Sequence, residues 1–192
     1  MFSYYLGIDE VGRGPVAGPL TVAGVLMPIT EENWPRKDSK KLTLKQRLSW
    51  YDFLLEKKNF NHWQMAEVSI KPIVIDKVGL SYALAVAVNR LIEKINFNKQ
   101  NTLICLDAGL PLSTEFNCLS FPQADEKMPA VALASVLAKV RRDKRMDYYH
   151  RLYSDYGFDR HKGYGTAYHF TKIKEFGLSP IHRRSFLKRL KI

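Results

Sequence analysis

The stretch Tyr4-Tyr5-Leu6-Gly7-Ile8-Asp9-Glu10-Val11, followed by Gly12-Arg13-Gly14-Pro15 and then by Thr21 to Met27, decides how this chain is read. The two outer segments, rich in β-branched and aromatic residues, read as hairpin-paired strands. The connection between them holds residues suited to unusual backbone geometry. Working outward, Thr43 to Lys57 reads as a helix and His62 to Ser69 as a third strand. Leu80 to Ile95 has the spacing of an amphipathic helix, and Leu103 to Leu106 is an apolar run expected of a buried strand, with Leu119 to Phe121 as a short last one. Pro129 opens a long helix, apolar on nearly every face up to Ala138 and strongly charged from Arg141 to Arg145, expected to stop near Gly157. Two shorter helical patterns follow, at Ala167 to Glu175 and Arg183 to Lys191. The fold class expected is α/β, with residues 1–145 as a core and residues 146–192 as a basic helical lobe of the same compact unit.

Composition narrows the function. Apolar residues make up 46% and charged residues 26% of 192, as in an ordinary globular protein, and no run is long enough to span a membrane. The first seven residues have no basic start or long apolar stretch, so no signal peptide is expected. Cys105 and Cys118 fit reduced thiols in a cytoplasmic protein better than a disulfide framework. Residues 139–192 hold 15 basic and 5 acidic residues, a net +10 of the chain's +11. Tyr148, Tyr149, Tyr153, Tyr156, Tyr164, Tyr168 and Phe186 lie among those charges, a mixture that suits a polyanion with flat faces, namely nucleic acid. A solvated basic surface with its rings in the core would give the same counts.

Four carboxylates fall at places where a site is easily built. Asp9 and Glu10 end the first strand, Asp107 ends the buried strand, and Asp125 precedes the long helix. Gathered at one sheet edge they would repel unless a cation neutralised them. Oxygen-only ligation points to Mg²⁺ or Mn²⁺ rather than zinc. Adjacent strand residues point to opposite faces, so the strand is expected to be irregular by Glu10. By spacing alone, unrelated loop carboxylates would look the same.

The local words are more specific. Gly7-Ile8-Asp9-Glu10-Val11-Gly12-Arg13-Gly14-Pro15-Val16-Ala17-Gly18-Pro19 resembles the signature of the ribonuclease HII (type 2 ribonuclease H) family. Asp38-Ser39-Lys40-Lys41-Leu42, Leu106-Asp107, Ala124-Asp125 with Ala134-Ser135-Val136-Leu137-Ala138-Lys139-Val140 and Arg142-Asp143, His161-Lys162-Gly163-Tyr164-Gly165-Thr166 and His182-Arg183-Arg184-Ser185-Phe186 resemble its later motifs, in order. The resemblance implies a ribonuclease H-like core, a mixed sheet flanked by helices, with a C-terminal helical lobe closing over the substrate. It implies an endonuclease that hydrolyses the RNA strand of RNA–DNA hybrids and cuts 5′ of single ribonucleotides in duplex DNA. Two metal ions, Mg²⁺ or Mn²⁺, held by Asp9, Glu10, Asp107 and Asp125, would leave 5′-phosphate and 3′-hydroxyl ends.

Substrate contacts are implied for Gly12, Arg13 and Gly14 at the 2′-hydroxyl and for Tyr164 against the following sugar, with Lys40 and Lys162 on phosphates. Asp143 is expected to be a structural ion-pairing residue among Arg141, Arg142 and Lys144, and His161, His169 and His182 to be surface or lobe-packing residues. Val11 and Ala108 depart mildly from the family pattern, Ala108 mattering only if its φ is positive. A monomer without membrane contact is expected. Three other readings are a type 3 ribonuclease H, disfavoured because Asp9 lies so near the first residue, a hybrid-binding module without catalysis, and a DNA nuclease on the same core.

Overall fold

A computed structural model describes residues 1–31, 42–60, 62–113 and 115–188. Strands β1 (Tyr4–Val11) and β2 (Leu20–Pro28) pair antiparallel along their whole length, from Tyr4 opposite Pro28 to Val11 opposite Thr21. β3 (Gln64–Ile70) continues antiparallel on β2, whereas β4 (Thr102–Asp107) runs parallel to β1, and β5 (Cys118–Phe121) parallel to β4. The resulting order is β3-β2-β1-β4-β5, a mixed five-stranded sheet.

The seven helices among the described residues are α1 (Leu44–Lys57), α2 (Pro72–Val78), α3 (Leu80–Lys94), α4 (Ala124–Lys127), α5 (Pro129–Leu152), α6 (Phe158–His161) and α7 (Ala167–Phe176). Alternation along the strands assigns them to faces. Leu6, Ile8, Leu20, Val22 and Leu26 pack with Ala83, Leu84, Ala87 and Leu91 of α3. Ala23, Val25 and Met27 face the other way, onto α1 and the apolar half of α5. Covered on both sides, β2 is buried at nearly every position, and each such aliphatic side chain contributes about 1.5–3 kcal/mol. Thr43 and Gln46 close a reciprocal capping box at the start of α1, as the Thr43 start implied.

Helix α5 lies unusually close to the sheet. A Cβ placed on Gly7 would sit 2.0 Å from the carbonyl carbon of Ala130, so backbone meets backbone there. The all-apolar first half of α5 follows from this position between β1, β2 and α1. The helix runs unbroken past residue 145 to Leu152, shorter than the expected stop near Gly157. Its distal part joins a separate small core in which Met146, Tyr156, Phe158, Ile173, Ile181 and Leu187 meet Ala17.

Two expectations need correction, and one element was not foreseen. No regular helix spans the described part of 183–191. A single 3-10 turn, Arg184–Phe186, stands there because Asp76 accepts the backbone N–H groups of Arg184 and Ser185, while the Arg183 side chain is drawn inward. Strand β1 is not irregular at Glu10, which pairs in register with Val22. Helix α2 had no sequence reading, since seven residues carry too little periodicity. No single helix among the described residues is long and apolar enough to cross a membrane.

Candidate active site

The ladder between β1 and β4 ends at Ile8 opposite Leu106, leaving the last residues of β1 without a strand on that flank. Side chains from both faces of β1 border the notch this creates. A cavity of about 380 Å³ opens there, lined by Asp9, Glu10, Asp107, Arg47, Ser135, Lys139 and Tyr164 among others. Asp9 is 7% exposed, lies on the α5 side and accepts a hydrogen bond from the Ser135 hydroxyl. Burial, and then the charge of Glu10, push its carboxyl up to about 7. Glu10 is raised as well, chiefly by burial, against the pull of Arg13, whose Nη1 stands 3.3 Å from Oε1. Among the described residues, the other oxygen of Glu10, Oε2, is buried with no hydrogen-bond partner.

Asp107 organises the far wall. Its Oδ1 accepts from the backbone N–H of Ala108 at 3.0 Å and of Ala124 at 3.3 Å, which ties β4 to α4. Asp125, in that short helix, is 2% exposed and close enough to raise Asp9 electrostatically, while the neighbouring Glu126 is exposed. Ala108 has no positive φ, so its methyl is unstrained; Gly109 takes the left-handed conformation instead. Among the described residues no three carboxylates stand close enough to form a ready ligand set.

The turn after β1 is held from behind by two arginines that are each 0% exposed. Arg142 donates to the carbonyls of Ala17, Pro19 and Lys162. Arg183 donates to those of Gly12, Arg13 and Gly18, and burial lowers its guanidinium to about 9. Gly12 has φ +95° and no room for a Cβ, which would lie 2.5 Å from Nε of Arg142. Gly14 is different, because a Cβ there would meet only the Tyr164 ring, at 4.0 Å. Among the described residues the N–H groups of Arg13 and Gly14 donate to no protein acceptor.

Tyr164 is 44% exposed and belongs to a loop fastened to this turn, with Gly163 O accepting from the N–H of Val16 and of Ala17. Lys162 stands at φ +50° with its amine paired to Asp147. Lys40 and its motif neighbours Asp38, Ser39 and Lys41 lie outside the described residues. Asp143 is an ion-pairing residue, but its partner is Lys139, one turn back, at 2.9 Å, rather than the arginines beside it. Of the aromatic residues in the basic lobe, Tyr156 is buried on Phe158, whereas Tyr148, Tyr164 and Tyr168 are exposed. His169 and His182 are buried lobe-packing residues.

A family model for ribonuclease HII matches residues 6–189. The chain belongs to the ribonuclease HII family. The ribonuclease HII of Chlamydia pneumoniae is 40% identical over 185 residues, 96% of this chain and 84% of that protein. Ribonuclease H2 from Pyrococcus horikoshii superposes with a TM-score of 0.74 at 25% identity, covering 95% of this chain and 93% of that one. A complex of Bst-RNase HIII with Mn²⁺ shares the fold at 16% identity, with a TM-score of 0.67 over 99% of this chain and 71% of that one.

As a ribonuclease HII the chain is a hydrolytic endoribonuclease acting on RNA in RNA–DNA hybrids, in a family dependent on divalent metal. Its residues suit such an ion. The donors are all carboxylate oxygens, Glu10 Oε2 lacks a partner among the described residues, and Glu10 and Asp125 add to the burial that raises Asp9. Sequence reasoning assigned no site role to Ser135, Arg47 or Lys139, all of which line the cavity. Ser135 and Lys139 were visible as one helix turn apart, but only the approach of α5 to β1 shows that they face Asp9.

Proposed function

We propose that this chain cuts the RNA strand of hybrids and also incises duplex DNA 5′ of a single embedded ribonucleotide, leaving 5′-phosphate and 3′-hydroxyl ends. The observation that carries this reading is one cavity lined by Asp9, Glu10 and Asp107 and also by Tyr164, whose ring stands against the open side of Gly14. A phosphodiester seated on the carboxylates would therefore place its sugar at the turn.

Asp9, Glu10, Asp107 and Asp125 would hold two ions, Mg²⁺ or Mn²⁺. Bound there, they supply neutralisation of phosphate charge and a lowered pKa for water. The protein's own groups do the selecting. The carbonyls of Gly12 and Arg13 are engaged by Arg183, which leaves the N–H groups of Arg13 and Gly14 facing outward as donors. A 2′-hydroxyl can accept such a bond, and a deoxyribose cannot. With no side chain on Gly14, the sugar can come close, and Tyr164 offers a flat apolar face for the deoxyribose that follows. Arg13, and Lys162 if it exchanges Asp147 for a phosphate, would add backbone contacts, as would Lys40.

The test is a labelled duplex with one ribonucleotide, run beside an all-DNA duplex and a full hybrid, with Mg²⁺, Mn²⁺ or EDTA. Metal-dependent cutting 5′ of the lone ribonucleotide, with the all-DNA duplex intact, is the expected result. Cutting of the hybrid alone would overturn the single-ribonucleotide reading.

A further inference from the structure

Behind Tyr164 lies a buried chain of histidines that the cleavage chemistry does not use. His182 is 3% exposed and His169 is 0% exposed, and their Nε2 atoms stand 3.0 Å apart. The direction of this contact follows from its ends. The backbone N–H of Ser179 donates to His182 Nδ1 at 2.9 Å, so that nitrogen carries no proton. His182 must then bear its proton on Nε2 and donate it to His169 Nε2. That leaves the His169 proton on Nδ1, which stands 2.8 Å from the carbonyl oxygen of Tyr164. One assignment satisfies every atom, with both rings neutral. His161, stacked on His169 at 4.2 Å, is fixed the same way: Gly163 N–H donates to its Nδ1, and its Nε2 donates to Tyr156 O.

The placement is more telling than the chain itself. His182 forms an isolated β-bridge with Ala17, and the next residue, Arg183, reaches Gly12, Arg13 and Gly18. Adjacent residues on one short segment therefore hold the two halves of the sugar-reading surface, Arg183 the turn directly and His182 the Tyr164 loop through His169. We propose that His182 and His169 are positioning residues which fix the Tyr164 ring relative to Gly14, and so set how sharply the enzyme prefers a lone ribonucleotide. This rests on the reading of Tyr164 as the sugar-facing residue.

The tautomers are checked on the intact protein by long-range proton–nitrogen NMR of the imidazoles at pH 7. His169 is expected as the Nδ1–H form, uncommon in free histidine, and His182 as the Nε2–H form. An Nε2–H His169, or a charged ring in either place, overturns the relay without reference to activity. The functional arm compares His169→Asn, whose amide can still donate to Tyr164 O, with His169→Leu, which cannot. The leucine variant is expected to lose about five- to tenfold of its preference for a single ribonucleotide over a long hybrid, the worth of roughly one hydrogen bond, and the asparagine variant to keep most of it. In a Tyr164→Ala background, His169→Leu should add no further change in that preference, whereas an additive change would mean that His169 does not act through Tyr164 and would overturn the proposal. If Tyr164→Ala alone affects both substrates equally, the sugar-sensing reading of Tyr164 fails, and with it the claim that the relay sets preference. The tautomer pattern then decides whether the relay still fixes the loop.

Discussion

The carboxylate notch and the turn beside it are neighbours built on opposite principles. In the notch, like charges are crowded, Asp9 is pushed up to about 7, and an oxygen of Glu10 is buried without a partner among the described residues. In the turn, two buried arginines satisfy the carbonyls of Gly12, Arg13, Ala17, Gly18 and Pro19. The first region is left incomplete, and on the proposed reading a cation and a phosphate would lower its energy on arrival. The second is over-determined, which suits the proposed reading of a hydroxyl against a hydrogen, a task that demands donors that do not move.

Removing charge from the notch should produce the largest effect. Asp9→Asn is expected to bring cleavage to near background while hybrid binding survives, and to raise the thermal midpoint. Because the folded-state carboxyl titrates near 7 rather than 3.8, Asp9 favours folding below pH 3.8 and loses that contribution as pH rises through 7. The stability gained by the Asp9→Asn substitution should therefore be greatest above pH 7, and should shrink when Mg²⁺ is added to both proteins. Retained activity in this variant would remove Asp9 from the site.

The histidines behind the turn have the opposite sign. Burial lowers both His169 and His182 to about 4 from 6.5, with His161 as the nearby like charge when protonated. Their contribution is complete above pH 6.5 and is lost as pH falls toward 4. Urea unfolding between pH 7.5 and 4 in the Asp9→Asn background, where the contrary trend of Asp9 is absent, measures it. A flat profile would contradict a buried neutral pair.

Arg183→Met should cost about 3 kcal/mol, since the carbonyls of Gly12, Arg13 and Gly18 lose their donor at once. Denaturation at pH 7 checks the size, and activity should fall on both substrates. The finest contrast is within the turn itself. Gly12→Ala meets both a positive φ and the Arg142 side chain and should destabilise by about 2 kcal/mol, whereas Gly14→Ala should stay within about 0.5 kcal/mol of the parent yet cleave poorly. Normal cleavage by the Gly14 variant would show that no sugar comes so close.

Much of this was legible along the chain. The β1–β2 hairpin announced itself by composition, and the all-apolar half of α5 by the absence of a polar face. What escaped was set by tertiary bonds. Arg142 sits in the most charged word of the sequence and is 0% exposed, because its partners are carbonyls, two of the three more than a hundred residues away in the chain, and carbonyls leave no mark on residue identity. The helical pattern expected from Arg183 failed for the same reason. Arg183 turns inward and Asp76 caps the residues after it. Glu10 was expected to need a broken strand. It reaches the notch from a regular one, because β4 ends first.

The contact between Gly7 and Ala130 has a consequence beyond packing. With no side chain between them, α5 is seated on β1 at one fixed height, and it carries Ser135 to Asp9 and, two turns on, Arg142 to the backs of Ala17 and Pro19. The axial spacing between the residue that touches Asp9 and the one that holds Ala17 and Pro19 is thus set by two turns of a helix, about 10.5 Å for seven residues. A loop in that place could stretch by a residue and be forgiven. One residue inserted into α5 between Ser135 and Arg142 would turn the arginine by about 100° and put the proposed cutting and reading points out of phase.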